Sequence, residues 1–186
     1  MTSLPIIDAH HHLWDLDGGP LYYPWLQDPV PHEFFWRLRG LRHSYLPDDY
    51  RRDSAGLNIV ATVHVEAECD RAQQRDETRW LASVAERHGM PDAIVAHAWF
   101  HTPESAEVLQ AQAAHPMVRG IRSKPLTSAS PRESVAGRPG SMQDPAWLAG
   151  FARLRSLGLS WDLRVPAWHL PEAAEVCAQQ WTSRWC

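Results

Sequence analysis

The chain has 186 residues, 44% hydrophobic and 22% charged, with a formal net charge of −4 from 18 basic and 22 acidic residues. That is the profile of one soluble globular domain long enough to bury a core, and without a basic stripe it argues against nucleic acid as a partner. No apolar run approaches the roughly 20 residues that span a bilayer, so no membrane association is expected.

The opening MTSLPIIDAHHH lacks the charged start, long apolar core and cleavage site of a secretory signal. Cys69, Cys177 and Cys186 are odd in number and far apart, which suggests neither a disulfide framework nor a zinc ribbon. A cytoplasmic location is expected.

Taken in chain order, Leu4 to Ala9 is a short isoleucine-rich run that reads as a first strand. Leu57 to Ala67 (LNIVATVHVEA) is the clearest strand, because β-branched residues dominate it. Ala93 to Phe100, Met117 to Arg122 and Leu159 to Leu163 read as three more. Between the second and third, Leu81, Val84, Ala85 and His88 mark a helical face that Gly89 stops. Thr102-Pro103-Glu104 and Asp144-Pro145 each place a cap residue before a proline, the signature of a helix start. Trp147, Phe151 and Leu154 continue the second of these helices to Gly158, and Leu170-Pro171-Glu172 opens a last one.

Strands alternating with helices predict an α/β fold with a parallel sheet covered by helices. An open sheet and a closed barrel both satisfy that alternation. No glycine-rich dinucleotide fingerprint follows any strand, since His-His-His follows the first. Two stretches are irregular. Residues 13–50 hold nine of the eighteen aromatics, including all four tyrosines. They read either as a surface loop with its own small core or as a lid over a pocket at the strand's carboxyl end. Ser123 to Gln143 is rich in Ser, Pro, Gly and Arg and reads as a mobile loop without an assigned role.

Asp8, His10 and His12 stand two apart at the end of the first strand. Side chains alternate along a strand, so the three are expected on one face, with Ala9 and His11 on the other. Two imidazoles so placed can converge on one ion, although two ligands do not complete a tetrahedral site. Asp8 is expected either to support a ligand histidine or to fill the interior.

IIDAHHHLW at residues 6–14, YPWL at 23–26, VHVEA at 63–67 and VRGIR at 118–122 resemble the amidohydrolase superfamily. More narrowly, they resemble its amidohydrolase-related branch, which includes sugar-acid lactonases and 2-pyrone-4,6-dicarboxylate lactonase. The resemblance runs from Leu4 to about Gln180 and implies a TIM (β/α)8 barrel, here about five β/α units of one domain over residues 1–186. It implies that His10 and His12 hold a divalent metal, zinc first, for hydrolysis of a lactone or related small carboxylate ester.

Glu66 is a catalytic candidate, either binding substrate or accepting a proton, and a solvated carboxylate is its alternative. Arg122 is a candidate for catalysis and substrate binding through its guanidinium, with a rim salt bridge as the alternative. Trp14 is a candidate for substrate binding, while His64 and His97 read as core histidines. Lys124 is a candidate only through its proximity to Arg122, and Cys177 reads as packing. No histidine ends the fifth strand, and His169 is the nearest. The sixth-strand histidine and eighth-strand aspartate of the resemblance have no counterpart before Cys186, so a truncated chain of doubtful activity is expected. Decarboxylation of a small unsaturated or aromatic acid and a non-catalytic fragment are the alternative readings. A small-molecule substrate and a possible homo-oligomer are the expected partners.

Overall fold

The computed structural model describes residues 4–29 and 39–180. Its chain divides into two compact units, Met1–Ala96 and His97–Cys186. Strand β1 is Ile6–His11, β2 is Ile59–Val65 and β3 is Ala93–His97 at the boundary. Strand β4 is Val118–Arg122 and β5 is Ser160–Trp161. Within the first unit β1 pairs with β2 and β2 with β3, both parallel; within the second, β4 pairs parallel with β5. The order of strand and helix is therefore the expected one; β1 is shifted two residues on, to end at His11, and the other four strands are one to four residues shorter than expected.

In the first unit, helix α1 (Pro24–Gln27) and helix α2 (Pro47–Asp53) lie in the aromatic stretch that the sequence pattern left irregular. Both begin on proline, whose fixed φ suits a first helical position, and the Leu46 N–H donates to Asp49 Oδ2 at the start of α2. Helix α3 (Gln74–His88) buries Glu77, Trp80, Leu81 and Val84 on one face, and Gly89 ends it at φ +69°. Asp76 and Glu77 in its first turn and Arg87 and His88 in its last complement the helix dipole.

The aromatic stretch has a small core of its own. Trp14 and Tyr45 exchange backbone hydrogen bonds of 3.1 and 2.9 Å, and Trp25 packs edge-on to Trp14 at 5.7 Å. A polar link joins it to the segment after β2: the Trp25 indole donates to the Ala67 carbonyl at 2.8 Å. Phe34, Phe35 and Trp36 lie outside the described residues.

In the second unit, helix α4 is Ser105–Ala113, helix α5 is Pro145–Leu157 and helix α6 is Leu170–Gln180. The expected cap at Thr102 is corrected. The Ser105 N–H donates to the Thr102 carbonyl, and the Thr102 hydroxyl turns back to the Trp99 carbonyl. Thr102 to Glu104 thus form a turn ahead of the helix. Asp144 does cap α5, accepting from the Ala146 N–H at 3.0 Å. The core is aromatic: Trp147 stacks on Phe151 at 5.3 Å, and Trp161 meets Phe151 edge-on at 4.9 Å. The stretch after β4 is tethered, with Leu126 N–H on the Gly140 carbonyl, Gly140 N–H on Asp144 Oδ2, and Ser141 and Met142 buried.

Gly150 lets α5 approach the backbone of Phe100 closely. A Cβ there would stand 2.3 Å from the Phe100 carbonyl oxygen. Alanine normally favours a helix over glycine by about 1 kcal/mol, but overpacking costs about 1–3 kcal/mol. Gly150→Ala is therefore expected to destabilise the chain by up to about 2 kcal/mol net. Urea titration reads this, and a gain in stability would contradict the close packing.

Burial pushes the Cys69 thiol well above its ordinary value, with Glu77 and Glu66 adding to the effect. Each unit of such a shift lowers the thiolate about tenfold, and the thiolate is the reactive form. At pH 8, iodoacetamide should therefore label Cys69 in the folded chain at least about tenfold more slowly than in the urea-unfolded chain. Equal rates by mass spectrometry would show the thiol to be accessible and ionised.

Candidate metal and hydrolase site

The histidine cluster is shaped by an irregularity in β1. Asp8 is opposite Thr62 and His11 is opposite His64, so β1 spends three steps where β2 spends two. The cause is local. Asp8 Oδ1 accepts the His10 N–H at 3.1 Å, which takes that donor out of the ladder.

An extra residue reverses the alternation beyond it. Asp8 therefore shares a face with His11, Thr62 and His64, and the expectation that it shares one with His10 and His12 is corrected. The expected convergence of His10 and His12 is present. Their Nε2 atoms are 3.2 Å apart and their rings meet edge-on at 5.0 Å.

Each of the pair is held through the backbone. His12 Nδ1 donates to the Val65 carbonyl at 2.7 Å, which places its proton there and leaves the Nε2 lone pair directed toward His10. A carbonyl in this position is a common way to orient a ligand imidazole. His10 is set by Asp8 through its main chain, not through its ring. Asp8 Oδ2 in turn accepts from the Tyr50 hydroxyl at 2.8 Å. Burial pulls the Asp8 carboxyl upward, but the Tyr50 and His10 donors and the neighbouring imidazoles outweigh it and hold the pKa below the usual aspartate value.

His11 is on the opposite side of the bulge, 7% exposed, with its ring 5.0 Å from Tyr50 and 5.5 Å from His64. Its two nitrogens have no hydrogen-bond partner among the described residues. Burial pushes its pKa down to about 4 against the pull of Asp8. It is a neutral packing residue.

His64 is fully buried, its ring 6.1 Å from that of His12. His97, assigned to the second unit, is also buried. Glu66 follows β2 directly and is fully buried, which removes the solvated alternative. One of its oxygens accepts the Glu68 N–H at 2.9 Å, bracing a turn in which Glu68 takes a left-handed φ of +57°.

Sequence reasoning missed Glu77, buried on α3, which accepts the Ala67 N–H at 2.8 Å. Extending the Leu81–Val84 face back by one turn reaches it. Trp14 is buried and donates its indole N–H to the His43 carbonyl at 2.7 Å, with its ring 6.5 Å from that of His12. In the second unit Arg122 ends β4 as expected and is buried.

Two nitrogens with lone pairs that can face one ion suit a borderline metal such as zinc. Among the described residues no group of three or more metal-binding side chains is assembled. Nor does any helix among them have the length and apolarity to cross a membrane.

Tyr50→Phe removes a donor to an ionised carboxylate and is expected to cost about 1–2 kcal/mol at pH 7. Because the folded pKa of Asp8 is lowered, that cost should be full above about pH 4 and fade as the carboxyl protonates below it. Denaturant titration from pH 7 downward follows the difference, and a cost that does not fall as Asp8 protonates would refute the assignment.

No family model matches the sequence. It is 34% identical over 176 residues to the uncharacterized protein y4mH of Sinorhizobium fredii, a match covering 95% of this chain and 59% of that protein. Among solved structures it resembles an amidohydrolase from Burkholderia multivorans with bound zinc, at TM-score 0.64 and 24% identity over 94% of this chain and 54% of that one. Amidohydrolase 2 from Bifidobacterium longum subsp. infantis gives 0.63 and 23%, over 95% and 58%. A probable 2-pyrone-4,6-dicarboxylic acid hydrolase from Acinetobacter baumannii, with citric acid bound, gives 0.57 and 14%, over 91% and 54%. The chain thus spans little more than half the length of the proteins it matches. Its fold is that of these amidohydrolases, an incomplete TIM-type (β/α)8 barrel represented here by five parallel strands with their helices.

Proposed function

We propose that the chain is the metal-holding portion of an amidohydrolase-type hydrolase acting on a small lactone or related carboxylate ester. The observation that carries this reading is the His10–His12 pair, 3.2 Å apart at Nε2, with the His12 tautomer set by Val65. The fold shared with amidohydrolases supports it, as does the zinc bound to one of them.

A divalent ion there would supply Lewis acidity toward a carbonyl and toward water. The chain's own residues do the rest. Val65 orients the His12 imidazole and Asp8 fixes the main chain of His10 before any ion arrives. Glu66, buried beyond β2, is proposed to contact substrate or take a proton. Arg122 is proposed to bind a substrate carboxylate or lactone oxygen, since a guanidinium can hold two coplanar oxygens. Trp14 is proposed to border the bound ligand.

Zinc retention after extensive dialysis tests the pair without recourse to activity. His10→Ala and His12→Ala should each lower occupancy at least about tenfold, as loss of one of few ligands does. His11→Ala should keep the metal while losing some stability. Loss of metal in His11→Ala alone would place the ligands on the other face of β1. Two credible ligands make a poor catalytic centre, so turnover of sugar-acid lactones and pyrone dicarboxylates should not exceed that of the His10→Ala, His12→Ala double variant. A chain extended to the length of its relatives should exceed it.

A further inference from the structure

Three side chains of the second unit, in the segments following β4 and β5, form one hydrogen-bonded chain. Ser128 Oγ is 3.0 Å from His169 Nε2, and His169 Nδ1 is 2.6 Å from Glu172 Oε2. Serine, histidine and carboxylate in that order resemble a nucleophile, its base and an orienting group.

The protons are distributed otherwise. The Ser128 backbone N–H donates to the same His169 Nε2 at 2.9 Å, so that nitrogen carries the lone pair. The ring proton is then on Nδ1, donated to Glu172. The Ser128 hydroxyl donates to the Ser130 carbonyl at 2.9 Å and accepts from the Trp168 indole at 3.1 Å. Ser128 and His169 are 4% and 3% exposed, which leaves no room for an acyl group at Oγ. The ring nitrogens, the serine hydroxyl and the indole are all satisfied without a transferable proton.

We propose that His169 is a positioning residue: a neutral imidazole, protonated at Nδ1, that clamps the segment after β4 to the first turn of α6 and does not ligate metal. Recruiting Nε2 to an ion would strip the Ser128 N–H of its acceptor in a buried place. The clamp holds the chain six residues beyond Arg122, inside a segment already tied at Leu126 to Gly140. It therefore fixes the path of the backbone leaving β4. This inference does not depend on the proposed function, because none of its residues is assigned there to metal or substrate.

Two-bond nitrogen–proton correlation spectra of the full chain, without added metal, identify the imidazole tautomer of His169. The Nδ1–H pattern is expected, unchanged by zinc even where His10 and His12 shift. Exchange of the Ser128 amide should accelerate about tenfold or more in His169→Phe, the effect of one lost hydrogen bond. It should stay slow in His169→Gln, whose side-chain carbonyl can accept the same N–H. An Nε2–H tautomer, a zinc-induced change at His169, or labelling of Ser128 by a fluorophosphonate would each overturn the clamp. Failure of zinc to bind at His10 and His12 would leave the tautomer and exchange results standing, so the two readings fail separately.

Discussion

The contact on which the candidate site depends is the carboxylate of Asp8 taking the main-chain N–H of His10. Removing one donor from the β1–β2 ladder gives β1 an extra residue, and the alternation of side chains reverses there. Without that bond, a regular strand would carry Asp8 on the face of His10 and His12, and His11 on the other. With it, Asp8 and His11 pack against Tyr50 and β2, while His10 and His12 project together. One hydrogen bond of 3.1 Å thus decides which histidines converge and which is buried.

The bond is held by its surroundings. Tyr50 comes from α2, in the aromatic stretch, and its hydroxyl fixes the second oxygen of Asp8. The stretch is secured by the Trp14–Tyr45 backbone pair and by Trp25 on the Ala67 carbonyl. Independently of any ligand, these aromatic residues bring a phenol to the carboxylate that shapes the strand. That favours the reading of this stretch as a loop with its own core, and Trp14 beside His12 keeps it at the edge of the candidate site.

Much of this was legible in the sequence. The β-branched run at Ile59–Val65, the glycine stops at Gly89 and Gly158 and the Asp144 cap are local signals, and the structure contains all of them. It also contains the convergence of His10 and His12, one within the bulge and one just past it. What failed was non-local. Nothing in IIDAHHH announces that Asp8 will take the His10 N–H, and its other oxygen is held by Tyr50, forty-two residues later. Thr102-Pro103 read as a helix start because cap and proline stood in the right order, but its hydroxyl found the Trp99 carbonyl first. Glu77 was invisible as long as a carboxylate in a helical face was taken for a solvated one.

The histidines show why residue type alone could not assign the site. His12 gives its Nδ1 proton to a carbonyl and keeps the Nε2 lone pair pointed at another imidazole, in a place only partly buried. His169 has the same tautomer, but its Nε2 lone pair is consumed by a buried backbone N–H. His11 lacks such partners among the described residues, and burial makes its charged form costly. A ligand histidine needs a fixed tautomer and a lone pair that no protein donor has claimed. Of these three, His12 has the first, because the carbonyl of Val65 stands where β2 ends, and its Nε2 faces another imidazole and not a buried backbone donor.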